Sequence, residues 1–589
     1  MSETHPNSGE PGTVRPAAPR DDVRVRFSDG REFAAPLGTT LAAFVRVAFP
    51  DPPVPIVAAV VGGRLRELTS APEVDTEVTP VTTESSDGTR IYRRSLSFLM
   101  AAVTRELFPE AQVGVEYSVY SGGYFCQALD HGPFTVSELG RIEARMREIV
   151  AADVPFGKSR ILLSEARALF EAQGDSDKVR LLRYRRKDHL IIYSLELGSF
   201  CFRDYFHGYL VPSTGYLRWF GLQPVAGGFI LQFPRRGEPT VIRPSSEHDR
   251  LFAAFREYNE WLDVLGIGDV GSLNDAVVAG RMREVILVSE ALHEKAIATM
   301  AWHVCQRQSQ LVVIAGPSSS GKTTFSKRLS IQLLANGRRP FPLAMDNYFQ
   351  ERDKTARDEK GERDYESLGA LDLDLFHRDL VALMNGESVQ LPHYDFKTGR
   401  RLPGPTVRLS PHHVVIVEGI HGLNPAVLSA LPPERLYRIY VSALTALNLD
   451  RHNRLSTTDT RLIRRIVRDA ATRGYSARAT LSRWESVRRG ESRWIFPHQE
   501  NADEMFNTAL VYELPLLRPL VEPLLLQVPH ETPEHIEAKR LLAILEWFDP
   551  GPGNGSAPSV DAVPDNSILR EFLTPGTIFD QLDFNAMFS

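Results

Sequence analysis

The chain has 589 residues, 68 Lys and Arg against 74 Asp and Glu, a formal net charge of -6 and three cysteines. That length is too great for one core and predicts roughly three or four domains. The charge balance excludes a surface built throughout for nucleic acid, though not a local basic face. Cys126, Cys201 and Cys305 form no CxxC pair, which excludes a disulfide framework or a cysteine zinc site. No apolar run reaches the length of about 18 residues that a membrane span needs. The expectation is a soluble, cytoplasmic protein.

Residues 1–21 are rich in Pro, Gly and Ser and read as a disordered tail. From Asp22, Val23, Val25 and Phe27 alternate with polar residues, a half-buried strand, and Ser28-Asp29-Gly30 supplies a turn. A second strand near Glu32–Ala35, a helix after Thr39 or Thr40 and a strand over Ile56–Val61 complete a small α+β unit, 22–84. The next unit, 85–280, opens with a helix striped by Leu96, Met100, Val103 and Leu107. A helix over Val136–Ala151 and an apolar, strand-like stretch over Leu190–Phe202 follow. Arg281–Ser309 reads as a long helix opening the third unit, 281–548, whose short apolar runs Leu311–Ala315, Val414–Val417 and Leu436–Val441 suit buried parallel strands. Residues 549–589 read as linker and tail, with Ile568–Phe588 apolar enough to dock.

Gly316-Pro317-Ser318-Ser319-Ser320-Gly321-Lys322-Thr323 fits GxxxxGK[ST] between a strand and a helix carrying Phe325, Leu329 and Leu333. Glycines let the backbone N–H groups of such a loop wrap phosphates, and the helix N-terminus adds partial positive charge. Lys322 is then expected at the β- and γ-phosphates of ATP and the Thr323 hydroxyl on Mg2+. Phe341–Met345 reads as a strand ending in Asp346, placed to take the proton of an attacking hydroxyl; the plain alternative is an Asx turn. Glu418 ends another strand and is a candidate for the metal, or else a loop cap.

Arg461, Arg464, Arg465 and Arg468 fall at i, i+3, i+4 and i+7, one face of a helix, with Arg473-Gly474 beyond. Four like charges on one stripe call for anions, which suits a lid closing on ATP; a solvated basic helix or an RNA-contacting face are the alternatives.

Taken with Met345-Asp346-Asn347-Tyr348-Phe349, Pro392-His393-Tyr394-Asp395-Phe396 and Glu418-Gly419-Ile420, these motifs resemble the uridine kinase and phosphoribulokinase family from about Leu311 to Leu525. The resemblance implies an α/β P-loop kinase domain, a parallel sheet with helices on both faces. It implies Asp346 and Lys322 as catalytic residues, ATP on Gly316, Ser318, Ser319, Ser320, Gly321, Lys322, Thr323, Thr324, Arg468 and Arg473, and Mg2+ on Thr323 and Glu418. Tyr348, Glu366, Tyr394 and Arg465 are implied to face the substrate. Gly399 stands where uridine kinases commonly carry a pyrimidine-reading histidine, and Tyr475 replaces a second substrate arginine, so base specificity is not implied.

The N-terminal half resembles threonyl-tRNA synthetases: 22–84 their β-grasp TGS domain, 85–280 their α+β editing domain, through Leu107-Phe108-Pro109, Gly122-Gly123-Tyr124 and Val211-Pro212-Ser213-Thr214-Gly215. Where that editing centre carries histidines and a cysteine stand Arg94, Phe98, Phe206 and Leu210, which neither bind metal nor move protons. A lone His207 nearby reads as a packed or surface residue. The whole order, with the terminal Ser567–Phe572, resembles a group of bacterial uridine kinase-related proteins. The expected activity is transfer of the γ-phosphoryl group of ATP to a nucleoside 5′-hydroxyl. The alternatives are a kinase of another small hydroxyl substrate, such as a phosphosugar, or an RNA-binding regulatory ATPase.

Overall fold

A computed structural model describes residues 20–573 apart from 246–248, 356, 358–360, 362, 396–397, 430, 550 and 552–558. Most of the expected N-terminal tail, Phe396 of the Tyr-Asp-Phe motif and residues 574–588 of the expected docking tail lie outside it.

The alternation near the start forms β1 (Asp22–Phe27), with Val23, Val25 and Phe27 inward. It pairs with β2 (Glu32–Pro36) across a turn in which Gly30 takes φ 88°. After α1 (Leu41–Ala48) come β3 (Ile56–Val61), β4 (Arg64–Glu67) and β5 (Thr76–Thr82). The five strands make one sheet in the order β2-β1-β5-β3-β4, with β1 and β5 parallel, and α1 closes its core.

Next is α2 (Ser86–Leu107), capped by the Ser85 hydroxyl on the Gly88 N–H. β6 (Val113–Val119), β7 (Gly123–Ala128), α3 (Val136–Ala151), β8 (Phe156–Leu162), α4 (Leu163–Gln173) and α5 (Ser176–Leu182) follow. The apolar stretch expected as one strand is two, β9 (His189–Leu197) and β10 (Phe200–Asp204), because Gly198 turns the chain with φ 67°. With β11 (Gly221–Val225) and β12 (Gly228–Gln232) these strands form two sheets, β10-β9-β8 and β11-β12-β7-β6. Phe98 and Phe206, expected at two of the editing-centre positions, pack edge to face at 5.1 Å. His207 is packed too: its Nδ1 meets the Tyr205 hydroxyl at 3.1 Å, and burial pushes its pKa down to about 3.

Helices α6 (Asp249–Leu265), α7 (Val270–Val278) and α8 (Met282–Gln306) lead into β13 (Leu311–Ala315), α9 (Lys322–Ala335) and β14 (Arg339–Ala344). Then come α10 (Leu373–Met384), the hairpin β15 (Ser388–Asp395) and β16 (Arg400–Arg408), β17 (His413–Glu418), α11 (Pro425–Leu428) and β18 (Leu436–Ser442). Last are α12 (Thr457–Arg473), α13 (Ala477–Trp494), β19 (Glu504–Asn507), α14 (Glu513–Leu526), α15 (Glu534–Leu545) and α16 (Arg570–Leu573). Strands β14-β17-β13-β18-β19 form a wholly parallel sheet whose central strands are buried, as their unbroken Val and Ile content requires.

The two halves of the chain share a core: Phe170, Leu182, Leu190 and Ile192 belong to the same apolar cluster as Val312, Phe325 and Leu462. Polar contacts cross there as well. Buried Lys178 meets Asp204 at 2.9 Å and Asp450 at 3.1 Å, and His452 reaches Asp204 at 2.6 Å.

Candidate active site

Strand β13 delivers the glycine-rich loop to the carboxyl edge of the parallel sheet, and α9 leaves from it. The loop needs its glycines for two reasons. A Cβ on Gly316 would lie 1.9 Å from the Val441 carbonyl oxygen, and Gly321 takes φ 88° at the N-cap of α9. Ser319 also adopts a positive φ, 57°. The Ser319 and Ser320 hydroxyls are buried without a hydrogen-bond partner, as expected of a cradle made for an anion.

Lys322 donates to the Pro317 carbonyl oxygen at 3.0 Å, folding back over the loop. Burial lowers its pKa, opposed by Glu418, Glu571, Asp346 and Glu366. The Thr323 hydroxyl donates to Glu418 at 3.0 Å. β17 runs alongside β13, with Glu418 in register with Ile314, so Glu418 ends its strand just beneath the loop. Burial pushes the Glu418 carboxyl up to about 7, with Glu571 and Asp346 adding to the rise and Lys322 opposing it. Asp346 follows β14, next to β17; burial raises its pKa too, against the pull of Lys322 and Arg473. Glu366 is pushed up to about 7 by burial and by Glu491, against Arg465 and Lys322. Lys322, Asp346, Glu366 and Glu418 thus share one electrostatic neighbourhood at the loop.

The arginine stripe lies on α12 as its spacing predicts, but half of it faces inward. Arg461 is buried on Glu491, with a 2.8 Å contact from its second amino group, and donates to the Ser318 carbonyl oxygen at 3.0 Å. Arg464 is buried on Glu513 and donates to the Thr508 carbonyl oxygen at 2.8 Å. The anions expected for these two are therefore carboxylates of the chain itself. Arg465, Arg468 and Arg473 gather on Asp469 at 3.4, 3.2 and 3.5 Å. Arg465 also donates to the Ser318 hydroxyl at 3.0 Å, bringing this end of the helix onto the loop. Gly474, at φ 68°, ends α12.

Two substrate expectations change. Tyr348 is fully buried, its ring 5.1 Å from Phe376 edge to face, in the core beneath the sheet edge. The short 3-10 turn Met345–Tyr348 holds Asp346 by the loop while the Tyr348 ring packs into the core. Tyr394 is 3% exposed and packs 5.7 Å from Phe349 in the same core cluster, leaving little of its ring to face a ligand.

One residue at the loop was not foreseen. Glu571, on α16, accepts from the Thr324 N–H at 3.4 Å and the Thr324 hydroxyl at 3.1 Å, while Ile568 covers Gly321. Its segment reads in sequence as an apolar, docking tail, but no local pattern links it to a loop 247 residues away.

Residues 311–512 match the model of the Phosphoribulokinase / Uridine kinase family. This segment belongs to that family. The family segment holds every site residue discussed above except Glu513, Ile568 and Glu571. The N-terminal region is similar to threonine–tRNA ligases. That of Acidithiobacillus ferrooxidans is 36% identical over 210 residues, 35% of this chain and 31% of that protein. That of Marinobacter nauticus is 37% identical over 174 residues, 29% of this chain and 26% of that protein. The chain thus spans about a third or less of the length of these curated relatives. Among solved structures it is similar to a "Possible Uridine Kinase" from Bacillus stearothermophilus, at 20% identity and TM-score 0.24, covering 34% of this chain and 89% of that one. It is also similar to D-glycerate 3-kinase from Cryptococcus neoformans, at 18% identity and TM-score 0.21, covering 44% and 89%. Thr323 and Glu418 offer two oxygen donors 3.0 Å apart beside the family segment's phosphate loop, a donor set that suits Mg2+.

Proposed function

We propose that the chain is an ATP- and Mg2+-dependent kinase that phosphorylates the 5′-hydroxyl of a nucleoside. The observation that carries this reading is the meeting of Lys322, Asp346 and Glu418 at a phosphate loop with orphaned buried hydroxyls. In it the loop N–H groups and Lys322 hold the triphosphate, and Arg465, Arg468 and Arg473 lie on the helix that closes over it. Thr323 and Glu418 hold Mg2+, which when bound neutralises charge on the transferring phosphoryl group. The substrate hydroxyl oxygen forms a bond to the γ-phosphorus, the bridging bond to the β-phosphate breaks, ADP leaves, and the hydroxyl proton passes to Asp346. A carboxyl whose pKa burial has raised is the better base for that proton. Glu366, beside Arg465, is assigned to the sugar hydroxyls.

The phosphosugar alternative uses the same machinery with a different acceptor. The RNA-binding ATPase draws less from α12 than the bare stripe suggests, because Arg461 and Arg464 are neutralised by Glu491 and Glu513, leaving Arg465, Arg468 and Arg473 around the single carboxylate of Asp469.

The test is ADP release by the full chain with ATP and Mg2+ against a panel of nucleosides and phosphosugars, with products weighed by mass spectrometry. Nucleoside-stimulated release with a 5′-monophosphate product is expected. Stimulation by phosphosugars alone would move the acceptor class, and none across the panel would end the kinase reading.

A further inference from the structure

A cavity of about 1200 Å3 lies where α2, β6 and β7 meet α12, α13 and α15. None of the phosphate-loop residues lines it, nor do Asp346, Glu366, Glu418, Arg465, Arg468 or Arg473; of the site described above it shares only Arg461. Eleven arginines and seven carboxylates line its wall.

Five of the arginines are paired. Arg90 meets Asp87 and Glu537, each at 2.8 Å, Arg540 meets Asp459 at 2.7 Å, Arg236 meets Glu485, and Arg461 and Arg488 share Glu491. Arg235 and Arg493 lie over the Tyr120 and Trp494 rings. Arg93, Arg94 and Arg454, which gather around Tyr124, make no ion pair among the described residues. Arg93 lies over the Phe233 ring at 4.4 Å and Arg454 over the Tyr124 ring at 4.9 Å. Arg94 donates only to a neutral carbonyl, that of Tyr209, at 2.9 Å. The Nε atoms of Arg93 and Arg454 are buried and unpartnered.

Tyr124 records the resulting field. Burial alone would raise its pKa, yet Arg454, Arg93 and Arg94 together hold the phenol below its ordinary value. Burial, with Arg454 and Arg488, lowers the pKa of Arg93. Guanidiniums partly withdrawn from water without a carboxylate carry a desolvation cost, and their planar forks match phosphate oxygens. The flanking rings of Tyr124, Phe233 and Trp484 supply flat apolar walls, and the volume slightly exceeds the usual range of about 300–1,000 Å3 for small-molecule pockets.

We propose that this cavity is a second binding site, for a phosphorylated small molecule of nucleoside-polyphosphate size, with its phosphates on Arg93, Arg94 and Arg454. Asp87, Asp459, Glu485 and Glu537 compensate arginines elsewhere on the wall, while Arg93, Arg94 and Arg454 gather around Tyr124, a compact cluster that suits a small anion better than a long nucleic-acid strand.

The experiment is equilibrium dialysis of the full chain carrying Lys322→Ala, to disable the phosphate loop, with ADP and with inorganic tripolyphosphate. Both are expected to bind one site, and Arg93→Gln with Arg454→Gln is expected to weaken that binding at least tenfold. Should that pair fail to fold, Ser482→Glu adds a carboxylate at an exposed cavity residue whose hydroxyl only serves the Ala479 carbonyl; it is expected to weaken binding about fivefold by repulsion. No binding, or binding indifferent to these substitutions, overturns the proposal. Binding of an RNA oligonucleotide while ADP and tripolyphosphate fail to bind overturns it in favour of a macromolecular ligand.

Discussion

Glu571 accepts the backbone N–H of Thr324 at 3.4 Å and the Thr324 hydroxyl at 3.1 Å, setting a carboxylate of the last described helix against the first turn of α9. A helix N-terminus favours negative charge, so the chain's own anion sits where a phosphate group would be attracted. The arrangement is anchored: the Ser567 hydroxyl donates to Glu290 at 2.5 Å, and the Phe572 ring lies 5.2 Å from the Arg464 guanidinium.

Glu571→Ala is expected to lower the KM for ATP by about three- to tenfold, since a carboxylate at a helix N-terminus is worth roughly 1 kcal/mol. Steady-state kinetics at fixed acceptor measure this. An unchanged or higher KM would mean that Glu571 works alongside the nucleotide instead of against it.

Asp346→Asn is expected to lower kcat by about 10²–10⁴-fold, the usual worth of a positioned base, with ATP binding little changed. Asp346 must be ionised to accept a proton, so kcat/KM falls as pH drops through its pKa. Burial raises that pKa, so the acid limb of the profile lies above the ordinary aspartate range. A full-rate, folded Asp346→Asn chain would remove the base assignment.

Without nucleotide, Mg2+ has to displace the proton from Glu418, whose pKa stands at about 7. Affinity is expected to fall about tenfold per pH unit below that value and to level off above it. Glu418→Gln is expected to abolish both the binding and the pH dependence. Calorimetric titration at several pH values checks the sign and the slope.

Arg464→Met leaves Glu513 buried without its partner and is expected to cost about 3–5 kcal/mol of stability. Adding Glu513→Leu is expected to restore most of it, because both buried charges are then gone. Thermal unfolding of the single and double variants is the measurement. If Arg464 instead served ATP, the single variant would keep its stability and lose nucleotide affinity.

The glycine-rich loop was legible because it is a contiguous local device. Strand, turn and helix start are written within thirteen residues, Leu311–Thr323, and the buried parallel strands show as unbroken Val and Ile runs. The strand ends carrying Asp346 and Glu418 were readable for the same reason: sheet neighbours bring their carboxyl ends to one edge. The helical period also placed Arg461, Arg464, Arg465 and Arg468 on one face.

Which way that face points was a tertiary matter. Arg461 is neutralised by Glu491 and Arg464 by Glu513, 30 and 49 residues onward, and helix periodicity is blind to partners so distant in sequence. Tyr348 was placed with the substrate by its motif, but a 3-10 turn sends its ring into the core. Glu571 at Thr324, and the meeting of Arg93, Arg94 and Arg454 around Tyr124, arise only when segments hundreds of residues apart are packed together. Local chemistry specifies which groups the chain owns; long-range packing decides which charges they meet, because Coulomb and desolvation energies depend on distance in space and not along the chain.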